Sequence, residues 1–415
     1  MTERPSAKMT TGRFNIIRLN AGGGSDSRRL AGQIARIGAG EYAAEYMAAK
    51  GDFYVFKADN LRAPAANILK QEFLAKGAEC AVNREVILGG PEQSSVVMLA
   101  TKRQYQQICG GLQRQQFGLP QLAAELTEAL QNIERESWRL SLPGGRTLAL
   151  STKTAIMGIL NITPDSFSDG GRNSDIGQAV AHAEQMLAEG ALIVDVGGES
   201  TRPGHKQISA EEEKARVVPV ISRLRAETDA VISVDTYKPE VAEAALQAGA
   251  DIINDIWGLQ HPKDAHGEMA ALAARYGCPV IAMFNREEPI ADGAPEEILS
   301  AASAFFRRSM AVAEAAGLPC GQLILDIGFG FGKTPRQNMQ LLAQTAALRA
   351  LGAPLLIAAS RKSTLGEVTG RGVEEREFAT AAATAAAAAG GAALVRVHNV
   401  RANADVIKVY QKLYY

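Results

Sequence analysis

The sequence predicts an α/β protein: a (β/α)8 TIM barrel preceded by a small N-terminal α/β domain. Three observations lead there. From residue 154 onward, short apolar runs alternate with amphipathic helical stretches in eight successive units. Nearly every run ends in a polar or ionisable side chain. The segment 154–415 also has the roughly 250 residues that a closed barrel of this kind needs. An open doubly wound sheet would require a break in the repeat, and none is seen.

Residues 1–136 read as a small α/β domain with no assigned role. A strand-like run at Phe14–Leu19 is followed by a turn at Gly22–Gly24 and a helical stretch. The turn, with Arg28 and Arg29 after it, has the composition of an entry loop or of an anion site at a helix start. Asp52–Asp59 alternates as a strand, and a helix begins near Pro64. Short strands are expected at Cys80–Val82 and Val86–Leu88, a stronger one at Ser94–Thr101, and helices at Arg103–Gln115 and Leu119–Glu136. Residues 137–153 place Pro143-Gly144-Gly145 between two alternating runs, a β-hairpin expected to cover the barrel floor. The eight barrel strands are then Ile156–Leu160, Leu192–Val196, Val231–Val234, Asp251–Ile253, Val280–Met283, Leu323–Asp326, Leu355–Ala358 and Leu394–Val397, with a last helix after Arg401.

Bulk chemistry narrows the partners. Lys and Arg total 44 against 45 Asp and Glu, so no global basic field exists for nucleic acid and no polybasic patch for a membrane surface. Any anionic ligand must be held by a few placed residues. The four cysteines, Cys80, Cys109, Cys278 and Cys320, form no C-x-x-C pair and read as reduced thiols. The polar start of the chain lacks the apolar stretch of a secretory signal, and no apolar run is long enough to cross a bilayer. A cytoplasmic enzyme acting on small molecules is the expectation.

Chemistry in such barrels sits at the C-terminal strand ends. There the sequence offers Asn161, Asp195, Asp235, Asn254 with Asp255, Met283 with Asn285, Asp326, Ser360-Arg361-Lys362, and Arg396 with His398. One aspartate after a strand is ordinarily a helix cap or a turn residue. Eight polar tips in phase suit a flat polar heterocycle instead, with carboxylates accepting from ring N–H groups and a lysine donating to a carbonyl. The loops after the seventh and eighth strands commonly bind phosphate, and here they carry Arg361, Lys362, Arg396 and His398. Gly328–Lys333 (GFGFGK) lacks the GxxxxGK[ST] spacing of a nucleotide loop, so an ATPase is rejected.

Together the segments NITPDSFSDGG (Asn161–Gly171), DVGGESTRPG (Asp195–Gly204), SVDTYKPEV (Ser233–Val241), INDIWG (Ile253–Gly258), DIGFGFGKT (Asp326–Thr334), SRKS (Ser360–Ser363) and VRVH (Val395–His398) resemble the dihydropteroate synthase family in order and over the whole barrel. The resemblance implies condensation of 4-aminobenzoate with 6-hydroxymethyl-7,8-dihydropterin diphosphate, with release of pyrophosphate. It implies that Asp235, Asn254, Met283, Asp326, Phe331, Lys362 and Arg396 hold the pterin. Asn161, Arg396 and His398 would hold the diphosphate, with Mg2+ placed through Asn161. Phe167, Ser200, Thr201, Arg202, Pro203 and Ser363 would form the aminobenzoate pocket. Asp169, Asp195, Lys362 and Arg396 would be the catalytic groups of an SN1-like step, Asp195 having an alternative as an anchor of the second loop.

Four positions depart from the family pattern: Phe284-Asn285 after the fifth strand, Ala358-Ala359 before SRKS, Asn399 after VRVH, and His205. None removes a pterin or diphosphate residue. The competing readings are a pterin-dependent methyltransferase, which should lack the diphosphate apparatus and the SRK motif, and a non-catalytic pterin-binding protein. The family also implies a homodimer; the Ala-rich stretch Glu377–Gly391 suits either a barrel shell or an interface.

Overall fold

The computed structural model describes residues 27–38, 41–48, 50–162, 172–199, 207–264, 266–291 and 295–414. The chain divides into two compact units, Met1–Glu134 and Arg135–Tyr415.

The first unit contains helices α1 (Ser27–Arg36) and α2 (Glu41–Ala48), strand β1 (Phe53–Leu61), helix α3 (Ala63–Leu74), strands β2 (Glu79–Ala81) and β3 (Ser94–Thr101), and helices α4 (Lys102–Leu112) and α5 (Leu119–Glu134). Its antiparallel sheet has the order β1-β3-β2. Alternation along β3 buries Val96, Met98 and Ala100 against Leu69 and Phe73 of α3, Tyr105 and Ile108 of α4, and Leu126 of α5. Thr101 ends the strand and starts α4 through a reciprocal capping box with Gln104. The strand expected at Val86–Leu88 is instead a short 3-10 turn, Arg84–Leu88. Asn83 caps it by accepting from the Glu85 amide (2.9 Å), and Gly89, at φ 90°, stops it. Only Val86 is buried there, so the apolar run is too short for its burial to outweigh the cap.

The second unit opens with a hairpin, β4 (Ser137–Ser141) and β5 (Thr147–Ser151). Then follow β6 (Ala155–Asn161), α6 (Arg172–Ala188), β7 (Ala191–Gly197), α7 (Ala210–Glu227), β8 (Val231–Asp235), α8 (Pro239–Gln247), β9 (Ile252–Asp255) and α9 (Glu268–Tyr276). The chain continues with β10 (Val280–Met283), α10 (Pro295–Ala315), β11 (Leu323–Asp326), α11 (Pro335–Ala343), β12 (Leu355–Ile357), α12 (Ser363–Thr369), α13 (Glu377–Ala389), β13 (Leu394–Val397) and α14 (Val400–Tyr414). Strands β6 to β13 pair in parallel and close into an eight-stranded barrel, the fold expected from the repeat.

Because side chains alternate along each strand, one set faces the helices and the other fills the barrel. At the N-terminal end the filling set is apolar: Met157, Ile193, Ile252, Ile281, Ile324 and Leu356. It packs on Trp138, Leu140, Leu148 and Leu150 of the hairpin, which closes the floor. Polar contacts fix the hairpin there. Trp138 donates to the Gly352 carbonyl (2.7 Å), and the Gln322 side chain both accepts from and donates to the Ser141 backbone (2.9 and 2.8 Å). With the floor sealed, the open end is the rim where the strands finish.

Candidate active site

Each strand delivers its last inward residue to that rim. Asp195 on β7 is fully buried. Its Oδ2 accepts from Arg396 Nε of β13 (2.6 Å) and from Asn254 Nδ2 of β9 (3.1 Å). Arg396 NH2 donates to Asp235 Oδ2 of β8 (2.6 Å). One guanidinium thus ties together carboxylates from two strands, with the forked geometry that arginine supplies and lysine does not. The far oxygens, Asp195 Oδ1 and Asp235 Oδ1, are buried without a hydrogen-bond partner. Orphaned buried acceptors are rare in folded proteins and mark either strain or a missing ligand.

On the opposite side, Asp326 of β11 lies beside Met283 of β10 in the strand register, both buried. Asp326 Oδ1 accepts from the Gly328 amide (2.8 Å). Lys362, half-buried at the start of α12, lies with its ammonium 4.1 Å from the centroid of the Phe331 ring. The Gly-rich loop makes room for this. Gly330 has φ +88°, and a Cβ there would sit 3.2 Å from the Lys362 stem; Gly328, at φ +62°, would collide with the Phe284 carbonyl. Arg361 takes φ +58°, strained for a residue with a side chain. Its backbone is held by Thr380 Oγ1, which accepts from its amide (3.1 Å), and by Arg376, which donates to its carbonyl (3.0 Å). The turn directs Lys362 toward the rim.

The electrostatics are those of a dry acidic cluster around a cation. Burial pushes Asp235 up to about 7, against the pull of Arg396 and with the help of neighbouring Asp195. Asp326 is also raised by burial, opposed by the Gly328 amide and then by Lys362 and Arg396. Arg396 is raised: burial works against its charge, but Asp195 and Asp235 outweigh it.

Asn161 ends β6 with its side chain exposed at the rim. A Cβ added to Gly197 would lie 3.7 Å from both Asn161 Oδ1 and Asp235 Oδ2, so the glycine leaves an open cradle between amide and carboxylate. Among the described residues no group of three His, Cys, Asp or Glu side chains could cage a metal, so a bound cation would need most of its ligands from substrate and water. His398 Nδ1 shares a hydrogen bond with Ser360 Oγ (3.0 Å), and the His398 amide donates to the same oxygen (3.2 Å). Ser363 is exposed on the first turn of α12.

The structure therefore joins Asp195, Asp235, Asn254 and Arg396 in one hydrogen-bonded network, with Met283 and Asp326 on the ends of β10 and β11 and Phe331 and Lys362 in the segments after β11 and β12. Phe167, Asp169, Ser200, Thr201, Arg202, Pro203 and His205 lie outside the described residues. Of the departures, Phe284 turns away from the barrel interior and packs on Phe305 and Phe306 in the helix layer. Asn399 accepts from the Ala402 amide (3.0 Å), capping α14, so its amide serves a structural purpose.

The sequence gives Lys333 no role, and it offers Ser360 only as part of a strand tip. Lys333 is buried, donates to the carbonyls of Phe284, Gly328 and Phe331 (2.7 to 2.9 Å), and is depressed to about 7 by desolvation. It ties the Gly-rich loop to the Phe284 carbonyl. The only sequence signal was its place at the end of GFGFGK.

Comparisons with known proteins agree with this geometry. The pterin binding enzyme family matches residues 157–398, more than half of the chain. The dihydropteroate synthase of Streptococcus pyogenes serotype M6 is 46% identical over 261 residues, which cover 62% of this chain and 95% of that protein. The Xanthomonas albilineans dihydropteroate synthase solved with 4-aminobenzoic acid is 42% identical, with a TM-score of 0.62, covering 67% of this chain and 98% of the other. A Halobacterium salinarum protein described as a probable bifunctional folylpolyglutamate synthase/dihydropteroate synthase is 39% identical over 347 residues. That match takes in 83% of this chain, more than the barrel unit alone could supply, so the likeness reaches into the first unit. The chain spans 41% of the length of that relative. On its barrel, its strand-tip residues and these likenesses, the chain belongs to the dihydropteroate synthase family of pterin-binding enzymes.

Proposed function

We propose that this chain condenses 4-aminobenzoate with 6-hydroxymethyl-7,8-dihydropterin diphosphate, releasing pyrophosphate and 7,8-dihydropteroate. One observation carries the reading: a buried rim network in which Asp195 and Asp235 each keep an oxygen without a partner, around a single arginine. An amino-pterin supplies N–H donors for such oxygens. The likeness to a Xanthomonas albilineans enzyme solved with 7,8-dihydropteroate, 38% identical, supports the same ligand class.

In this reading Asp235, Asn254 and Asp326 meet the polar edge of the pterin and Lys362 donates to its carbonyl. Phe331 and Met283 flank the ring, and Arg396 lies flat against it. Asn161, Arg396 and His398 hold the diphosphate. Breaking the C–O bond leaves positive charge on the pterin methylene, which the carboxylates of Asp195 and Asp169 stabilise, and the neutral aromatic amine then attacks. The aminobenzoate is taken by Phe167, Ser200, Thr201, Arg202, Pro203 and Ser363. The hard amide oxygen of Asn161, beside the open cradle at Gly197, fits Mg2+, which would neutralise the diphosphate charge.

A homodimer in the cytoplasm completes the proposal. Phe378 on α13 and Val409, Leu413 and Tyr414 on α14 are 62 to 91% exposed, an apolar surface suited to a second copy. No described helix is long and apolar enough to cross a membrane.

The test is to mix the protein with both substrates and Mg2+ and measure dihydropteroate and pyrophosphate. Equal amounts of the two are expected. Pyrophosphate without the conjugate, or neither product, would overturn the reading. Methyl transfer to a corrinoid would favour the competing enzyme class.

A further inference from the structure

Asn338 lies in the first turn of α11 and is 1% exposed. Its side chain is not needed to start that helix, because Thr334 and Gln337 already close it with a reciprocal capping box. The bonds of Asn338 leave the helix instead. Its Oδ1 accepts from the Gly330 amide (2.8 Å), and its Nδ2 donates to Thr364 Oγ1 of α12 (3.0 Å) and to the Lys333 carbonyl (3.5 Å). The partners fix which end of the side chain is oxygen, since a backbone N–H needs an acceptor and a carbonyl needs a donor. One buried amide therefore joins the Gly-rich loop after β11 to the segment after β12.

The join lies next to a pair of rim groups. Gly330 immediately precedes Phe331, and Thr364 is two residues beyond Lys362. The Lys362 ammonium is 4.1 Å from the centroid of the Phe331 ring, and a Cβ on Gly330 would come 3.2 Å from the Lys362 stem. Loop and lysine thus already pack at contact distance. Lys333 secures the other side of the loop, donating to the carbonyls of Gly328 and Phe331 and to that of Phe284 after β10. An apolar side chain at position 338 could pack α11 against the barrel without desolvating an amide. It could not hold a backbone N–H of one loop and a hydroxyl of another on a single point.

We propose that Asn338 is a positioning residue for the pterin: through Gly330 and Thr364 it holds the loop bearing Phe331 and the segment bearing Lys362 at one fixed separation. The inference rests on the proposed function, in which the pterin lies against Phe331 while its carbonyl accepts from Lys362. A flat ring can meet both demands only when the two groups stand at a set distance. Asn338 itself touches no substrate. It shares no hydrogen bond with the network of Asp195, Asp235, Asn254 and Arg396, so its loss should weaken pterin binding without abolishing it.

The experiment titrates the full chain with 6-hydroxymethylpterin by calorimetry, well below its melting temperature, as wild type, Asn338→Leu, Thr364→Val and Thr364→Ser. Asn338→Leu should weaken binding about tenfold or more. Thr364→Val keeps the shape of the side chain and removes only the α12 half of the link; it should weaken binding about fivefold. Thr364→Ser retains the hydroxyl and should stay within about twofold of wild type. Hydrogen exchange of the peptide that carries Gly330, read by mass spectrometry, should be faster in Asn338→Leu and in Thr364→Val, a readout that needs no ligand. Wild-type affinity in Thr364→Val would overturn the proposal, as would equal weakening in Thr364→Val and Thr364→Ser. So would unchanged exchange of the Gly330 peptide. A wild type that binds no pterin would bring down the functional reading and this inference with it, whereas equal binding by wild type and variants would bring down this inference alone. Should Asn338→Leu fail to fold, Thr364→Val carries the same test with the same overturning results.

Discussion

The barrel treats buried carboxylates differently at its two ends. On the floor, Asp251 is 1% exposed and fully engaged: Arg146 and Arg225 donate to its two oxygens, and the Ile232 amide donates to Oδ2 (2.9 Å). On the rim, Asp195 is equally dry and the Asp235 side chain is 11% exposed, yet each holds a buried oxygen with no partner. The folded protein tolerates such groups only where something else compensates. The floor carboxylate has the completed bonding of a structural group, while under the proposed function the open oxygens of the rim carboxylates are there for a ligand. Proximity to arginine does not separate the two cases, since both ends have it. Completeness of the hydrogen bonding does.

The largest expected effect is at the rim. Lys362→Ala should lower turnover by about 10²–10³-fold while melting close to wild type, because Lys362 is only half-buried. Near-normal turnover would remove the rim from the chemistry. The floor should respond in the opposite sense. Asp251→Ala strips a buried anion from two arginines and should destabilise by about 3–5 kcal/mol in urea unfolding, leaving kcat of the folded fraction unchanged. A loss of kcat with unchanged stability would erase the distinction between the two ends.

Asp235→Asn gives a sharper, smaller test through pH. Its folded pKa, about 7, lies above its ordinary value of 3.8. Between the two the native state retains a proton that the unfolded state has lost, so this group's contribution to stability falls as pH rises from about 4 to about 7. The amide variant should lack that decline and melt at or above wild type at pH 8, while losing pterin binding. A melting temperature that drops at pH 8 would show Asp235 to be a stabilising ion pair. The smallest effect is expected from shortening the chain to begin at Ser137. Its turnover should stay within about threefold of the full chain, a shift of well under 1 kcal/mol, since streptococcal relatives have no counterpart for most of the first unit. A larger loss would give that unit a part in catalysis.

Much of this was legible in the chain. The barrel followed from the period of apolar runs, and the rim residues from the position one or two past each run, because strand direction alone fixes where those side chains go. Arg396 could be named, but its bridging of Asp195 and Asp235 could not, since side chains from strands distant in sequence meet inside the barrel only when it closes. The bonds that Lys333 and Ser360 make are illegible for a related reason. Their partners are carbonyls of the Gly-rich loop in one case and a histidine ring in the other, and neither leaves a pattern in spacing. Val86–Leu88 has the apolar content of a strand, but the Asn83 cap and the Gly89 stop that frame it make it a 3-10 turn.

Titration of the protein with a 6-hydroxymethylpterin by calorimetry bears most directly on the difference between the two ends. The account predicts one site in wild type and in Asp251→Asn, and none detectable in Asp235→Asn or Asp326→Asn. Equal binding by all four proteins would mean that the unpartnered rim oxygens are not where the pterin goes.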